Sequence, residues 1–181
     1  MKNAIFLDRD GTLIKDVHYL KDPSHIECID GAKKALSLIK KAGFLIFLHT
    51  NQSGISRGYY NLSDVHACNN RMNQLLGLSE SFFDQICIAS EDEFSLSSYR
   101  KPSPKFQQEM ISHHNLQAKQ CWMVGDKWID VMTGLNSGMR GSLVRTGKLI
   151  DQELELRASN KDIPIFSNLL EFVTEELNLG E

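Results

Sequence analysis

Five short strand-like runs recur along this chain, each followed by a stretch with helical periodicity. They are Ala4–Leu7, Phe44–Leu48, Ile86–Ala89, Cys121–Val124 and Ser142–Arg145. Between them, Asp30 is placed to cap a helix running to about Ala42, with Ala32, Ala35, Leu36 and Ile39 on one face and Gly43 as terminator. Ser63 is placed to cap a second helix to Leu76, stopped by Gly77. Ser103 and Pro104 open a third, to His114, and a fourth runs from Trp128 to Ser137 and ends at Gly138. After a short polar segment, a last amphipathic helix is expected near Asn168–Leu177. Near-continuous apolar strands separated by helices demand a parallel sheet covered on both faces. The fold class expected is α/β: a three-layer, Rossmann-like, doubly wound parallel sheet.

A chain of 181 residues fits one domain, taken here as residues 1–181. No apolar run approaches the roughly 18 residues that cross a bilayer, and the few apolar residues before Asp8 are too short for a secretory signal. A cytoplasmic protein with no membrane partner is expected. The four cysteines form no Cys-x-x-Cys pair and read as free, mostly buried thiols. A net charge of -3 without a basic tract argues against a nucleic-acid partner. Two long stretches, Thr12–Ile29 and Ser90–Lys101, lack periodicity, and loops that long in a compact domain are usually functional.

In open α/β sheets ligands bind at the C-terminal ends of the strands. The first strand ends in Asp8-Arg9-Asp10-Gly11-Thr12, where one carboxylate can attack a phosphorus while the other protonates the leaving oxygen. A hard divalent cation could bridge such carboxylates to a phosphate, and Gly11 permits a tight turn. The second strand ends in His49-Thr50-Asn51-Gln52-Ser53-Gly54, a concentration of hydroxyl and amide donors suited to phosphoryl oxygens. The third leads to Arg100-Lys101-Pro102, which offers a point charge for a phosphate and a fork for a second anionic group. The fourth ends in Gly125-Asp126-Lys127 with Asp130 one helical turn on, suited to Mg²⁺ and a supporting carboxylate. Each cluster alone is also an ordinary polar turn or helix start. Four in succession, in the order acid pair, hydroxyl, lysine, acid pair, are what one phosphoryl-transfer site requires.

From about Asn3 to Lys148 the chain resembles the haloacid dehalogenase-like superfamily of phosphatases. The spellings Asp8–Thr12, Thr50–Gly58, Arg100–Pro102 and Val124–Lys127 are similar to those of the group that contains the D-glycero-D-manno-heptose 1,7-bisphosphate phosphatases and the histidinol-phosphate phosphatases. Val144-Arg145-Thr146-Gly147-Lys148 also reads like that group's segment after the fifth strand. The resemblance implies catalytic residues Asp8 (nucleophile), Asp10 (general acid, then base), Thr50 and Lys101 (phosphoryl stabilisation). It implies Mg²⁺ held by Asp8, the Asp10 backbone carbonyl and Asp126, with Asp130 in support. Substrate contacts are expected from Asn51, Gln52, Ser53, Arg57, Arg100 and Lys127, and from Asp16 and Tyr19 in a flap after the first strand. The core occupies so much of the chain that no large cap domain is expected. The implied partner is a small phosphorylated metabolite, met by a monomer or small homo-oligomer.

One departure from the group stands out. Many members bind zinc before Arg-Lys-Pro through a Cys-x-His and a Cys-x-Cys pair, whereas here the second pair reads Ser97 and Tyr99 and the loop has no histidine. Cys87 alone cannot supply a four-ligand site, so no zinc is expected. His49 is read as a packed strand-end residue, His113 and His114 as charges favoured at a helix C-terminus, and Trp122 and Trp128 as core or rim. The resemblance implies a phosphorylated sugar as the preferred substrate, with heptose 1,7-bisphosphate losing its 7-phosphate expected first. Histidinol phosphate comes next, then a nucleic-acid 3′-phosphate, because that group also uses a Thr-Asn-Gln strand end. A non-catalytic phosphometabolite-binding module is the reading from another class.

Overall fold

Each of the five runs becomes a strand in the computed structural model, which describes residues 3–92 and 99–180. The strands are β1 (Ala4–Leu7), β2 (Leu45–Asn51), β3 (Gln85–Ala89), β4 (Trp122–Gly125), β5 (Arg140–Val144) and a short β6 (Ile165–Phe166). They form one parallel sheet in the order β3-β2-β1-β4-β5-β6. The order reverses direction at β1, which makes the sheet doubly wound. In register, Leu7 lies between Leu48 of β2 and Val124 of β4. The residues just beyond those three positions therefore emerge side by side at one edge.

The helices are α1 (Ala32–Lys41), α2 (Leu62–Leu76), α3 (Lys105–His114), α4 (Trp128–Asn136), α5 (Gln152–Ser159) and α6 (Leu169–Glu171). The last continues as a π-helical turn over Phe172–Glu176. Successive side chains of β1 alternate between the faces. Ile5 and Leu7 join Leu36, Ile39, Met72 and Phe172 in one core, while Ala4 and Phe6 join Phe47, Phe106 and Met123 in the other. Each fully buried Leu, Ile, Met or Phe among them contributes about 1.5–3 kcal/mol. A third cluster centres on Leu143, with Val131 from α4 and Ala158 from α5.

Several local readings are corrected. The residue before α1 is Gly31, at φ 82° and with no side-chain cap, so Asp30 does not cap that helix. Asn61, not Ser63, caps α2: its side chain accepts the Asp64 N–H while Asp64 accepts the Asn61 N–H, a reciprocal pair Ser63 has no geometry to make. Helix α3 begins one residue late, at Lys105. The polar segment after β5 contains α5, capped by Asp151, and is followed by β6. Among the described residues, no helix is long and apolar enough to cross a membrane. Residues 93–98, including the Ser97 position read for the zinc loop, lie outside the described residues.

Candidate active site

The polar residues that follow β1, β2 and β4 meet the Lys101 segment around a cavity of about 250 Å³. Asp8 continues β1, its N–H bonded to the Val124 carbonyl at 3.0 Å, and it is almost fully buried. Gly11, at φ 85°, then turns the chain back so that its N–H reaches the Ile14 carbonyl at 2.7 Å. That turn leaves Asp8 and Asp10 both facing the cavity.

Lys101 is the centre of the charge arrangement. Its ammonium lies 2.7 Å from Asp8 Oδ1 and 2.6 Å from Asp130 Oδ1, with only 2% of its side chain exposed. Burial works against that charge, but Asp130 and Asp8 outweigh it and hold the lysine protonated, above its usual range. Asp130 is driven upward by burial and by Asp8, against the pull of Lys101. Its second oxygen accepts the Lys127 N–H at 3.1 Å, so both oxygens are engaged.

Asp10 is held from the other side. The guanidinium of Arg9, itself 1% exposed, donates from Nε to Oδ2 at 3.0 Å and from Nη2 to Oδ1 at 3.2 Å, and also reaches Asn69 Oδ1. Gln52 Nε2 donates to Asp10 Oδ2 at 3.1 Å and to Thr50 Oγ1 at 2.8 Å, while Gln52 Oε1 accepts the Tyr60 hydroxyl at 2.7 Å. Thr50 Oγ1 stands 3.4 Å from Asp10. The Asp10 carboxylate is thus held at the cavity by three neighbours, Arg9, Thr50 and Gln52.

The carboxylates of Asp8, Asp126 and Asp130 offer oxygens within 4.8 Å of one another. Asp126 is fully buried, and burial together with the Asp8 charge pushes its carboxyl up to about 6. Its Oδ2 accepts the Lys148 N–H at 2.8 Å. Its Oδ1 has no hydrogen bond, and Lys127 Nζ lies 3.3 Å away. A buried carboxylate oxygen left open beside two more carboxylates is an environment that a hard divalent cation fits. Close packing secures this aspartate: a Cβ on Gly147 would come within 2.1 Å of Asp126 Oδ2, and one on Gly125 within 2.2 Å of Asp130. Thr146 Oγ1 ties the same loop to the Gly11 carbonyl at 2.6 Å.

The expected substrate contacts divide into two groups. Asp16, Tyr19, Asn51, Gln52, Ser53 and Lys127 line the cavity; Arg57 and Arg100 do not. Arg57 instead donates to the Tyr19 hydroxyl at 2.7 Å. Asn51 spends its amide on the Lys101 backbone, accepting its N–H at 2.9 Å and donating to its carbonyl at 3.3 Å. At the rim, Asp16 Oδ2 lies 3.0 Å from Lys148 Nζ and 3.5 Å from Lys127 Nζ. Burial opposes the Asp16 charge, but those two lysines prevail and keep it ionised. Sequence reasoning missed Arg9, Tyr60, Asn69 and Lys148. Arg9 and Lys148 stood inside the quoted strand-end segments without a role, whereas Tyr60 and Asn69 carried no signal.

Comparison with known proteins follows the same lines. A polynucleotide kinase 3 phosphatase family model matches residues 3–132, and a HAD-hydrolase-like model matches residues 98–172. The chain is 35% identical over 157 residues to D-glycero-D-manno-heptose-1,7-bisphosphate 7-phosphatase of Chlorobaculum tepidum, covering 80% of this chain and 79% of that protein. It is 34% identical to the D-glycero-beta-D-manno-heptose-1,7-bisphosphate 7-phosphatase of Pasteurella multocida, covering 88% and 90%. Its fold superposes on the D,D-heptose 1,7-bisphosphate phosphatase of B. bronchiseptica, a structure complexed with magnesium and phosphate, with a TM-score of 0.84. That match is at 23% identity and covers 99% of this chain and 100% of that one.

Proposed function

The chain belongs to the haloacid dehalogenase-like phosphatase family, and from that membership we propose that it removes the 7-phosphate of D-glycero-D-manno-heptose 1,7-bisphosphate by way of an aspartyl-phosphate. The observation that carries the chemistry is the convergence of Asp8, Asp10, Thr50 and Lys101 on one cavity, with Lys101 Nζ 2.7 Å from Asp8. Asp8 attacks the phosphorus in line. Asp10 gives its proton to the departing sugar oxygen, then takes one from the water that cleaves the acyl phosphate. Lys101 and the Thr50 hydroxyl neutralise the oxygens of the transferring group. Arg9 and Gln52 keep Asp10 aimed throughout, which supplies much of the positional advantage.

Mg²⁺ is the cofactor proposed, held by Asp8, the Asp10 carbonyl and Asp126. When bound it supplies positive charge against the nucleophile and the phosphoryl oxygens. The open oxygen of Asp126 supports this assignment. The rim lysines Lys127 and Lys148 both face the cavity, pairing with Asp16 and, for Lys127, also with Asp126, and are placed to meet a second anionic group on the substrate.

Histidinol phosphate is the enzyme alternative. The match of residues 3–132 to a nucleic-acid phosphatase family keeps a 3′-phosphate end in view, although the net charge of -3 opposes it. Values of kcat/KM for the three substrates, measured side by side with Mg²⁺, rank them. Equally low values on all three would remove the heptose assignment. Asp8→Asn tests the chemistry itself: phosphate release should fall to background in a protein with an unchanged circular dichroism spectrum. Near-normal release would refute the nucleophile and, with it, the mechanism.

A further inference from the structure

Strand β3 ends at Ala89, opposite Asn51 of β2, and residues 99–101 belong to no strand. The segment that delivers Lys101 to Asp8 therefore has no sheet ladder to hold it. Two side chains of β2 take over that task. His49 and Asn51 lie two positions apart and so share one side of the strand. Asn51 grips the Lys101 backbone, and His49 Nε2 lies 2.9 Å from the Tyr99 carbonyl.

The ring of His49 has a single consistent protonation. A carbonyl oxygen only accepts, so the bond to Tyr99 requires hydrogen on Nε2. The neutral ring then leaves Nδ1 as an acceptor, which is where Gln107 Nε2 donates, at 2.8 Å. The imidazole is fully buried and stands edge-on to Phe106 at 5.2 Å. The other ties on Tyr99, from its N–H to Glu91 and from its hydroxyl to Glu109, reach less buried partners. Lys101 has little room for error, because its ammonium must meet two carboxylates at 2.7 and 2.6 Å.

We propose that His49 is a positioning residue for phosphoryl transfer: by holding the Tyr99 carbonyl it sets the path of residues 99–101 and so the approach of the Lys101 ammonium to Asp8. The proposal rests on the phosphatase reading, in which Lys101 stabilises the transferring group. A displacement of that ammonium acts on the transition state more than on ground-state binding, so its mark is on kcat.

The test uses His49→Leu, which fills the site but makes neither hydrogen bond, and His49→Gln, which offers a donor and an acceptor. On heptose 1,7-bisphosphate with Mg²⁺, kcat of the Leu variant should fall about 10- to 100-fold with KM changed less than about threefold. The Gln variant should recover most of that loss. If the Leu variant does not fold, Gln107→Met serves: it removes the donor that fixes the ring, and kcat should drop about fivefold. Without substrate, the imidazole ¹⁵N spectrum of the wild type should show a neutral ring protonated at Nε2. A folded Leu variant with kcat near wild type, a loss that Gln does not recover, an unaltered Gln107→Met variant where that is the one tested, or a ring protonated at Nδ1 each overturns the proposal. A wild type without Mg²⁺-dependent phosphate release removes the phosphatase reading and the proposal together, whereas an active wild type with an equally active Leu variant removes the proposal alone.

Discussion

Replacing Lys101 with methionine separates the structural load on this lysine from its chemical one. Methionine fits the volume of the buried stem but leaves Asp8 and Asp130 without the cation that sits 2.7 and 2.6 Å from them. Three carboxylates whose oxygens lie within 4.8 Å of one another would then share a site with Lys127, partly exposed, as the remaining ion-pair partner among the described residues. Removing one member of a buried ion pair costs about 3–5 kcal/mol, because the partner's charge is stranded away from water. For a chain of this size that is a fall in Tm of about 6–20 °C, measured in EDTA. Adding Asp130→Asn to the methionine variant removes the stranded charge and should return a good part of the loss, a coupling of about 2 kcal/mol in a double-mutant cycle. Mg²⁺ should raise the Tm of the methionine variant more than that of the wild type, since it meets a stronger negative field. The reasoning is refuted if the single variant loses less than about 1 kcal/mol, or if the second substitution adds to the damage.

Three further outcomes are expected. His49 is fully buried, and burial, followed by the nearby Lys101 charge, pushes its pKa down to about 3. Its unfolded value is about 6.5, so its stability contribution is complete above that pH and declines as pH falls toward 3; at pH 5 about 2 kcal/mol is gone. Because the raised Asp126 carboxyl gains stability over the same range, the loss is read as a difference: between pH 7.5 and pH 5 the wild type should lose about 2 kcal/mol more than His49→Gln by urea midpoint. Gly147→Ala would drive a methyl into Asp126 Oδ2, where a Cβ has only 2.1 Å, and calorimetric titration should show Mg²⁺ affinity lower by about 10-fold or more. Arg9→Leu frees the Asp10 carboxylate from its fork, so kcat should fall while Mg²⁺ affinity, read by the same titration, stays near wild type.

Much of the proposed site was legible in the sequence because Asp8, Asp10, Thr50 and Asp126 sit within three positions of a strand end, and a parallel sheet brings such ends together whatever the loops do, whereas Lys101 lies twelve residues beyond β3. Asp8, Thr50 and Asp126 follow from that rule alone. The parts that were not legible depend on competition between neighbours. Asn61 and Ser63 are both good caps, and the choice fell to the one whose partner, Asp64, stands at the third helical position. Helix α5 buries only Ala158, and β6 is two residues long, so neither has a period to read.

The same competition bears on the substrate contacts proposed for Asn51 and Gln52. Both are amides beside Thr50, and both line the cavity. Each nevertheless has its polar atoms committed to the protein: Asn51 to the Lys101 backbone, fifty residues away, and Gln52 to Asp10, Thr50 and Tyr60. An amide offers a donor and an acceptor at fixed spacing, which suits it to bridge a backbone N–H and a carbonyl, or a carboxylate and a phenol, where no strand is present to do so. Around a site whose catalytic groups come from separate loops, that bridging is what turns convergence into geometry. The Thr50-Asn51-Gln52 strand end thus holds two braces after its threonine, and the proposal of sugar contacts shifts to the rim, where Tyr19, Lys127 and Lys148 line the cavity.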